Sequence, residues 1–246
     1  KLRPLLQDTD DVLRAAAAKV AGERLDSGAV KRLRELLSDP SPRVQYFSIL
    51  ALAQLEDVDA FPGVVGRLAS AENKDAALRH AGVMYLVSLR DPTKIATLRK
   101  HPSESVRRAA VVALRRLKMK ETSLFLDDES DLVVMEAARA IHDEPIPSAM
   151  NALADMVGTS DGSKKLIRRV LNANYRQGTV ESAAKLAAFA SRESALPEMR
   201  IEALEMLGKW AQPDPRDRVL NAHRPLAERE ALVVKKALDP HVDSLI

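Results

Sequence analysis

One pattern recurs seven times along this chain: an aliphatic anchor, followed in four copies by arginine, with small or apolar residues three, four and seven or eight places further on. Leu13-Arg14 leads to Ala16, Ala17 and Val20, Val44-Gln45 to Ser48, Ala51 and Leu52, and Leu78-Arg79 to Ala81, Gly82 and Leu86. Val106-Arg107 leads to Ala109, Ala110, Ala113 and Leu114, Val133-Val134 to Ala137, Ala140 and Ile141, and Met199-Arg200 to Ala203, Met206 and Leu207. The remaining copy starts at Leu166 or Ile167, its register open between the two. Taking Leu166, successive anchors lie 27 to 34 residues apart. A period near 30 residues holds two short helices and two turns, the unit of an α-solenoid.

Composition narrows the alternatives. A chain of 246 residues with 46% hydrophobic but only 3% aromatic content can bury a large core of small aliphatic side chains, which suits close helix packing. Cysteine is absent, which removes disulfides, thiolate zinc sites, haem attachment and a cysteine nucleophile. No run approaches the ~20 apolar residues needed to cross a bilayer. Lys1-Leu2-Arg3-Pro4 is not followed by the apolar segment of a signal peptide, so the chain reads as an excised segment. The net charge of +3, from 38 basic and 35 acidic residues, is too small to imply nucleic acid by itself.

Helix-start signals precede the anchors: Asp39-Pro40-Ser41-Pro42, Pro102-Ser103-Glu104, Asp127-Asp128-Glu129-Ser130 and Ser160-Asp161-Gly162-Ser163. Their side-chain oxygens are expected to cap open backbone N–H groups. The second helix of each pair is expected to be shorter, over 29–37, 61–70, 93–100, 121–126, 148–157 and 179–191. The sequence thus predicts an all-α solenoid over 1–210, a connector over 211–224 and a capping helix within 225–246. That last helix would open at Pro225, run from Leu226 to Leu238, and pack on the unit containing Met199 to Trp210.

The segment Ser103-Glu104-Ser105-Val106-Arg107-Arg108-Ala109-Ala110-Val111-Val112-Ala113-Leu114 resembles the bacterial HEAT-like repeat, the kind also named after phycobilisome lyases. The resemblance covers about residues 5 to 210 and implies a right-handed superhelix of seven helix pairs. A narrower likeness lies in Phe125-Leu126-Asp127-Asp128, in Glu136 to Asp143, in Asn172 to Gly178 and in Trp210 to Arg218. These phrases are similar to the helical middle region of large planctomycete-type proteins labelled membrane-bound dehydrogenases, in which a propeller precedes the repeats and a cytochrome c domain follows. That likeness implies a segment of an exported, periplasmic multidomain redox protein. The chain itself carries no Cys-x-x-Cys-His motif, so none of that chemistry transfers to its residues.

Chemical motifs are few. The sequence holds no phosphate loop, dinucleotide fingerprint, His-Glu-x-x-His or nucleophile elbow, and its five histidines never fall at i,i+4 spacing. No catalytic residue, cofactor or metal ligand is therefore assigned. The acids Asp127, Asp128, Glu129 and Asp131 lack the glycine turn and terminal glutamate of a calcium loop and read as helix-capping groups. Arg14, Arg79, Arg107 and Arg200, each just after an anchor, read as a structural ladder reaching loop acids or carbonyls.

Binding is expected on the inner helices. With 100° per residue, positions two and nine after the anchor point away from the core stripe. They place Tyr46, His80, Arg108, Arg115, Met135, His142, Arg168 and Tyr175 on one ridge, the concave face in the fold that the resemblance implies. Aromatic, basic and polarisable side chains of this kind are enriched at protein interfaces. The expected function is a monomeric, non-catalytic interaction or spacer module whose partner is protein. The alternative is nucleic acid, read by Arg107, Arg108, Arg115, Arg116, Lys118 and Lys120 with Lys164, Lys165, Arg168 and Arg169. The near-neutral total and the single tryptophan argue against it.

Overall fold

The computed structural model describes residues 2–158 and 163–245. Regular structure among them is helical; the β pairing is one isolated bridge, between Arg216 and His223. The chain divides into two compact units, Lys1–Val133 and Val134–Ile246. The first contains α1 (Asp11–Glu23), α2 (Val30–Glu35), α3 (Pro42–Gln54), α4 (Phe61–Ala71), α5 (Ala76–Ser88), α6 (Pro92–Ala96) and α7 (Glu104–Leu117). The division falls within α8 (Asp131–Asp143). The second unit continues with α9 (Pro147–Asp155), α10 (Lys164–Gln177), α11 (Val180–Ser191), α12 (Pro197–Gly208), α13 (Leu232–Leu238) and α14 (Val242–Leu245).

The seven sequence copies are the seven inner helices, α1, α3, α5, α7, α8, α10 and α12. In every one the anchor is the third residue, which fixes Leu166 rather than Ile167 as the anchor of α10. The helix ends repeat as well. Twelve places after the anchor stand Leu25, Glu56, Arg90, Lys118 and Gly178, all with φ between 50° and 67°. Such a left-handed residue lets the following N–H turn back onto the helix. Asp26, Asp57 and Met119 donate to the carbonyls of Ala21, Leu52 and Leu114 at 2.9, 3.0 and 3.0 Å. In α8 the same position is Pro145, whose ring holds φ negative, yet Ile146 still donates to Ile141 at 3.0 Å.

Packing follows the small residues. In the first unit α1 lies on α3, α3 on α5 and α5 on α7; in the second α10 meets α9, α11 and α12. The approach of α1 to α3 is close because Ala18 and Ala21 are fully buried and residue 22 is glycine: a Cβ there would lie 2.7 Å from the Ala51 Cα. Six of the seven anchors are buried. Leu13 is the correction, 42% exposed. Only the single 3-10 turn Arg3–Gln7 precedes α1 among the described residues, and the buried stripe of this helix is Ala15, Ala17, Ala18 and Ala21.

Three other expectations change. The outer element after α7 is a 3-10 turn, Lys120–Phe125, rather than an α-helix, which accounts for the short spacing of that repeat. Ser41, Ser103 and Ser163 stand at helix N-caps without side-chain capping bonds, whereas Asp10, Asp75, Asp91 and Thr179 do cap. The Ser160-Asp161-Gly162 part of the remaining signal lies outside the described residues. At the C-terminus the helix starts at Leu232, not Leu226, and it packs chiefly on α11 rather than on α12.

Candidate functional site

The arginine ladder is structural. Arg107 donates to the Asp128 carboxylate at 2.8 and 3.1 Å and to the carbonyls of His101 and Pro102 at 2.8 and 3.1 Å. Arg14 repeats the arrangement on Asp39 and on the carbonyls of Asp8 and Thr9. In both copies the residue two places after the aspartate is serine, whose N–H donates to that aspartate and whose hydroxyl donates to an acid in the first turn of the previous inner helix: Ser41 to Asp11, Ser130 to Glu104. Asp128 in the acidic cluster is therefore a ladder rung. At the intermediate copies the chemistry varies: Gln45 donates to the Asp39 carbonyl, Arg79 bonds the Asn73 carbonyl, and His101 Nδ1 accepts from Ser103 where an aspartate would stand. Arg200 bonds the Ala190 carbonyl at 2.7 Å.

On the ridge of the first unit, His80 is exposed and Tyr46, Arg108 and Arg115 are half-buried. The Tyr46 ring meets Phe47 edge-on at 5.0 Å, and Arg108 lies 3.8 Å from Glu104. Arg116, next to Arg115, is exposed, with one guanidinium nitrogen 3.7 Å from the Met84 sulfur.

In the second unit Met135 is half-buried, and Arg168 is exposed with Glu202 at 3.8 Å. His142 and Tyr175 overturn the expectation of a solvent-facing ridge, being 0% and 4% exposed. The chain's own connector covers the ridge here. Its loop 215–224 is closed by Asp217 N–H to Ala222 O at 2.9 Å and Arg224 N–H to Pro215 O at 2.9 Å, and it carries the Asp217 carboxylate into the inner helices.

The Asp217 side chain is fully buried. Its Oδ1 accepts the N–H groups of Val219 and Leu220 at 2.9 and 3.0 Å, while Oδ2 accepts Arg176 and Arg224, each at 3.2 Å. Burial raises the Asp217 pKa, but the backbone donors of Leu220 and Val219 and the nearby Arg224 outweigh it and hold the carboxyl below its usual value. Arg176 is also held below its usual value, by burial and by Arg224. His142 stands beside the cluster, with Nδ1 2.9 Å from Asp143 Oδ1 and Nε2 3.0 Å from Asn172 Nδ2. An ionised Asp143 only accepts, so Nδ1 carries the proton and Nε2 accepts from Asn172. Arg169 forks onto Asp143 at 3.0 and 2.7 Å. Burial alone would raise Asp143; the bonds from His142 and Arg169 bring it down to about 2.

Beyond the loop, Arg229 lies over two aromatic rings, its guanidinium carbon 4.6 Å from the Trp210 centroid and 5.2 Å from that of Tyr175. Tyr175 donates to the Lys209 carbonyl at 2.8 Å, and the Arg229 N–H to Ala211 O at 3.0 Å. Trp210 thus meets the C-terminal stretch, though through an arginine on non-helical chain rather than through the helix. Sequence reasoning missed Asp217, Arg176, Arg224 and Arg229; the one signal was the concentration of charge among the prolines after Trp210.

Among the described residues no group of three or more His, Asp or Glu is arranged to hold a metal, and no helix is long and apolar enough to cross a membrane. A HEAT-repeat profile matches residues 1–86. No curated protein matches the sequence. Similar solved structures include the complex of CpcE and CpcF of phycocyanin lyase from Nostoc sp., 22% identical, with 100% of this chain and 93% of that one covered and a TM-score of 0.42. Another is the YibA protein of Escherichia coli, 18% identical over 99% of this chain and 90% of its own, with a TM-score of 0.44. Human deoxyhypusine hydroxylase in complex with glycerol is 20% identical over 99% and 94%, with a TM-score of 0.37. With the profile match at its start and one inner-helix pattern through all seven copies, the chain is an all-α, HEAT-like solenoid repeat protein.

Proposed function

We propose that this chain is a non-catalytic protein-interaction module whose binding surface is the ridge of inner helices in the first unit, centred on Tyr46, His80 and Arg108. The observation that carries this reading is the fate of the matching ridge in the second unit. There His142 and Tyr175, nine places after their anchors, are already packed against the chain's own residues beyond Trp210: Asp217 and Arg224 on His142, and Arg229 on Tyr175. In the first unit the ridge positions two places after the anchor carry Tyr46, His80 and Arg108, which are half-buried or exposed, and Arg115, nine places after the anchor of α7, is half-buried.

The nucleic-acid alternative is weakened by pairing. Arg107 is committed to Asp128 and Arg169 to Asp143, while Lys164 pairs with Glu198 and Arg108 lies near Glu104, so each basic group is partly neutralised. The phrases similar to planctomycete-type dehydrogenases support placing the module within a larger exported redox protein, where it would space or dock neighbouring domains. The mass of the native protein tests that placement.

The test of the binding surface is site-specific photo-crosslinking in the native host, with the photoreactive residue at His80 and, as a control, at exposed Lys31 on the outer helix. Crosslinks to one protein from position 80 alone are expected. Recovery of nucleic acid from position 80, or equal products from both positions, would refute the reading.

A further inference from the structure

We infer that the inner groove of the second unit is a carboxylate-recognition site, occupied in cis by Asp217, and that its ligand in the assembled protein is an acidic loop of a partner which displaces residues 213–224. The walls select for an anion. Arg169 and Asp143 neutralise each other, and removal of the loop takes from Arg176 the carboxylate it is bonded to, Asp217. His142 and Asn172 complete a polar floor beneath it, the His142 Nε2 being 3.8 Å from Asp217 Oδ2.

The loop is built to detach. Of residues 213–224 only Asp217 is buried; Asp214, Pro215, Arg216, Leu220, Asn221, Ala222 and His223 are exposed. A cleft of about 540 Å³ remains between the loop and the inner helices, lined in part by Arg168, Glu202 and Arg216. Segments with few buried apolar contacts open at lower free energy than the core around them. The remaining tether is polar: Arg218 to Glu202 at 2.9 Å and to Glu205 at 2.5 Å, Arg224 to the His142 carbonyl at 3.2 Å, and Arg176 to the Arg224 carbonyl at 3.3 Å. Departure of the loop uncovers Arg176, and arginine is among the residue types that dominate binding energy at interfaces. A cis ligand also competes at an effective concentration in the millimolar range, so it masks the site until a partner outbids it.

The test uses the full chain, with Trp210, its single tryptophan, as reporter. Native-state hydrogen exchange of the wild type should show amides 217–224 opening before those of α10 and α12; opening of this loop only with global unfolding would overturn the inference. In Asp217→Asn the loop amides should exchange at least tenfold faster while helical circular dichroism is kept. A synthetic peptide of residues 211–231 should then bind this variant at least tenfold more tightly than wild type, read by Trp210 emission, and the peptide carrying asparagine in place of Asp217 should not bind. Equal binding of both peptides, or binding of neither, would overturn it. The photo-crosslinking at His80 reads the first unit alone, so either result stands without the other.

Discussion

The Arg107 guanidinium and the Asp128 carboxylate close on each other in a two-bond fork, 2.8 and 3.1 Å, with both side chains about 95% shielded from solvent. The pair joins an inner helix to the loop that starts the next one. Burying two charges is costly, and their removal together is much better tolerated than removal of one. Asp128→Ala is therefore expected to destabilise the first unit by about 3 kcal/mol, whereas Arg107→Met with Asp128→Leu should cost clearly less. Urea unfolding of the two variants checks this. Equal losses would mean that the attraction itself, rather than the loss of Arg107's buried partner, sets the cost.

The left-handed helix ends make a second prediction. Four of the five residues at that position carry a side chain, Leu25, Glu56, Arg90 and Lys118, and only Gly178 adopts the conformation without strain. Lys118→Gly should stabilise by about 1 kcal/mol, since Lys118 is exposed and holds a left-handed conformation that costs a side chain strain. Gly178→Ala should do the opposite, because a Cβ there would lie 2.6 Å from Arg229 Nε as well as in the strained region. Thermal melts of both variants, moving in opposite directions, are the expected result.

The repeat was legible because one steric requirement, small residues where helices cross, is imposed seven times, so the anchors emerge even though the intervening loops differ. Leu13 was not, since its exposure depends on what lies next to α1 rather than on its own pattern. Residues 226–231 illustrate the opposite limit. Ala227, Glu228 and Glu230 favour helix, yet the stretch is not helical and Arg229 stacks on Trp210 and Tyr175, a tertiary contact set against local propensity. Asp217 and His142 lie far apart in sequence, and no local pattern brings a connector aspartate to an inner-helix histidine.

Acid should weaken the second unit through its buried carboxylates. Asp143 sits near 2 in the folded state against roughly 4 in an unfolded chain. A lowered folded-state value means that the stabilisation is present above about pH 4 and is lost as pH falls toward 2, with a contribution on the order of 2 kcal/mol. Asp217, also held low, acts in the same direction. The urea midpoint of wild type should fall more steeply between pH 5 and pH 2 than that of Asp143→Asn. Parallel curves would show that Asp143 titrates alike in both states.

The register of the inner helices yields the most discriminating prediction, because adjacent alanines in one helix face opposite environments. Ala17 in α1, Ala110 in α7 and Ala137 in α8 are at most 1% exposed, each four places after its anchor, while Ala16, three places after, is open to solvent. A carboxylate placed at the buried sites has no partner and no water, a cost of several kcal/mol that a repeat cannot absorb. Ala17→Asp, Ala110→Asp and Ala137→Asp should each unfold at least the local helix pairs, seen as lost helical circular dichroism and a lowered or absent melting transition. Ala16→Asp should change stability by less than about 0.5 kcal/mol, as surface substitutions usually do. Wild-type melting in any of the first three, or unfolding in the fourth, would place the helix faces differently from the arrangement described.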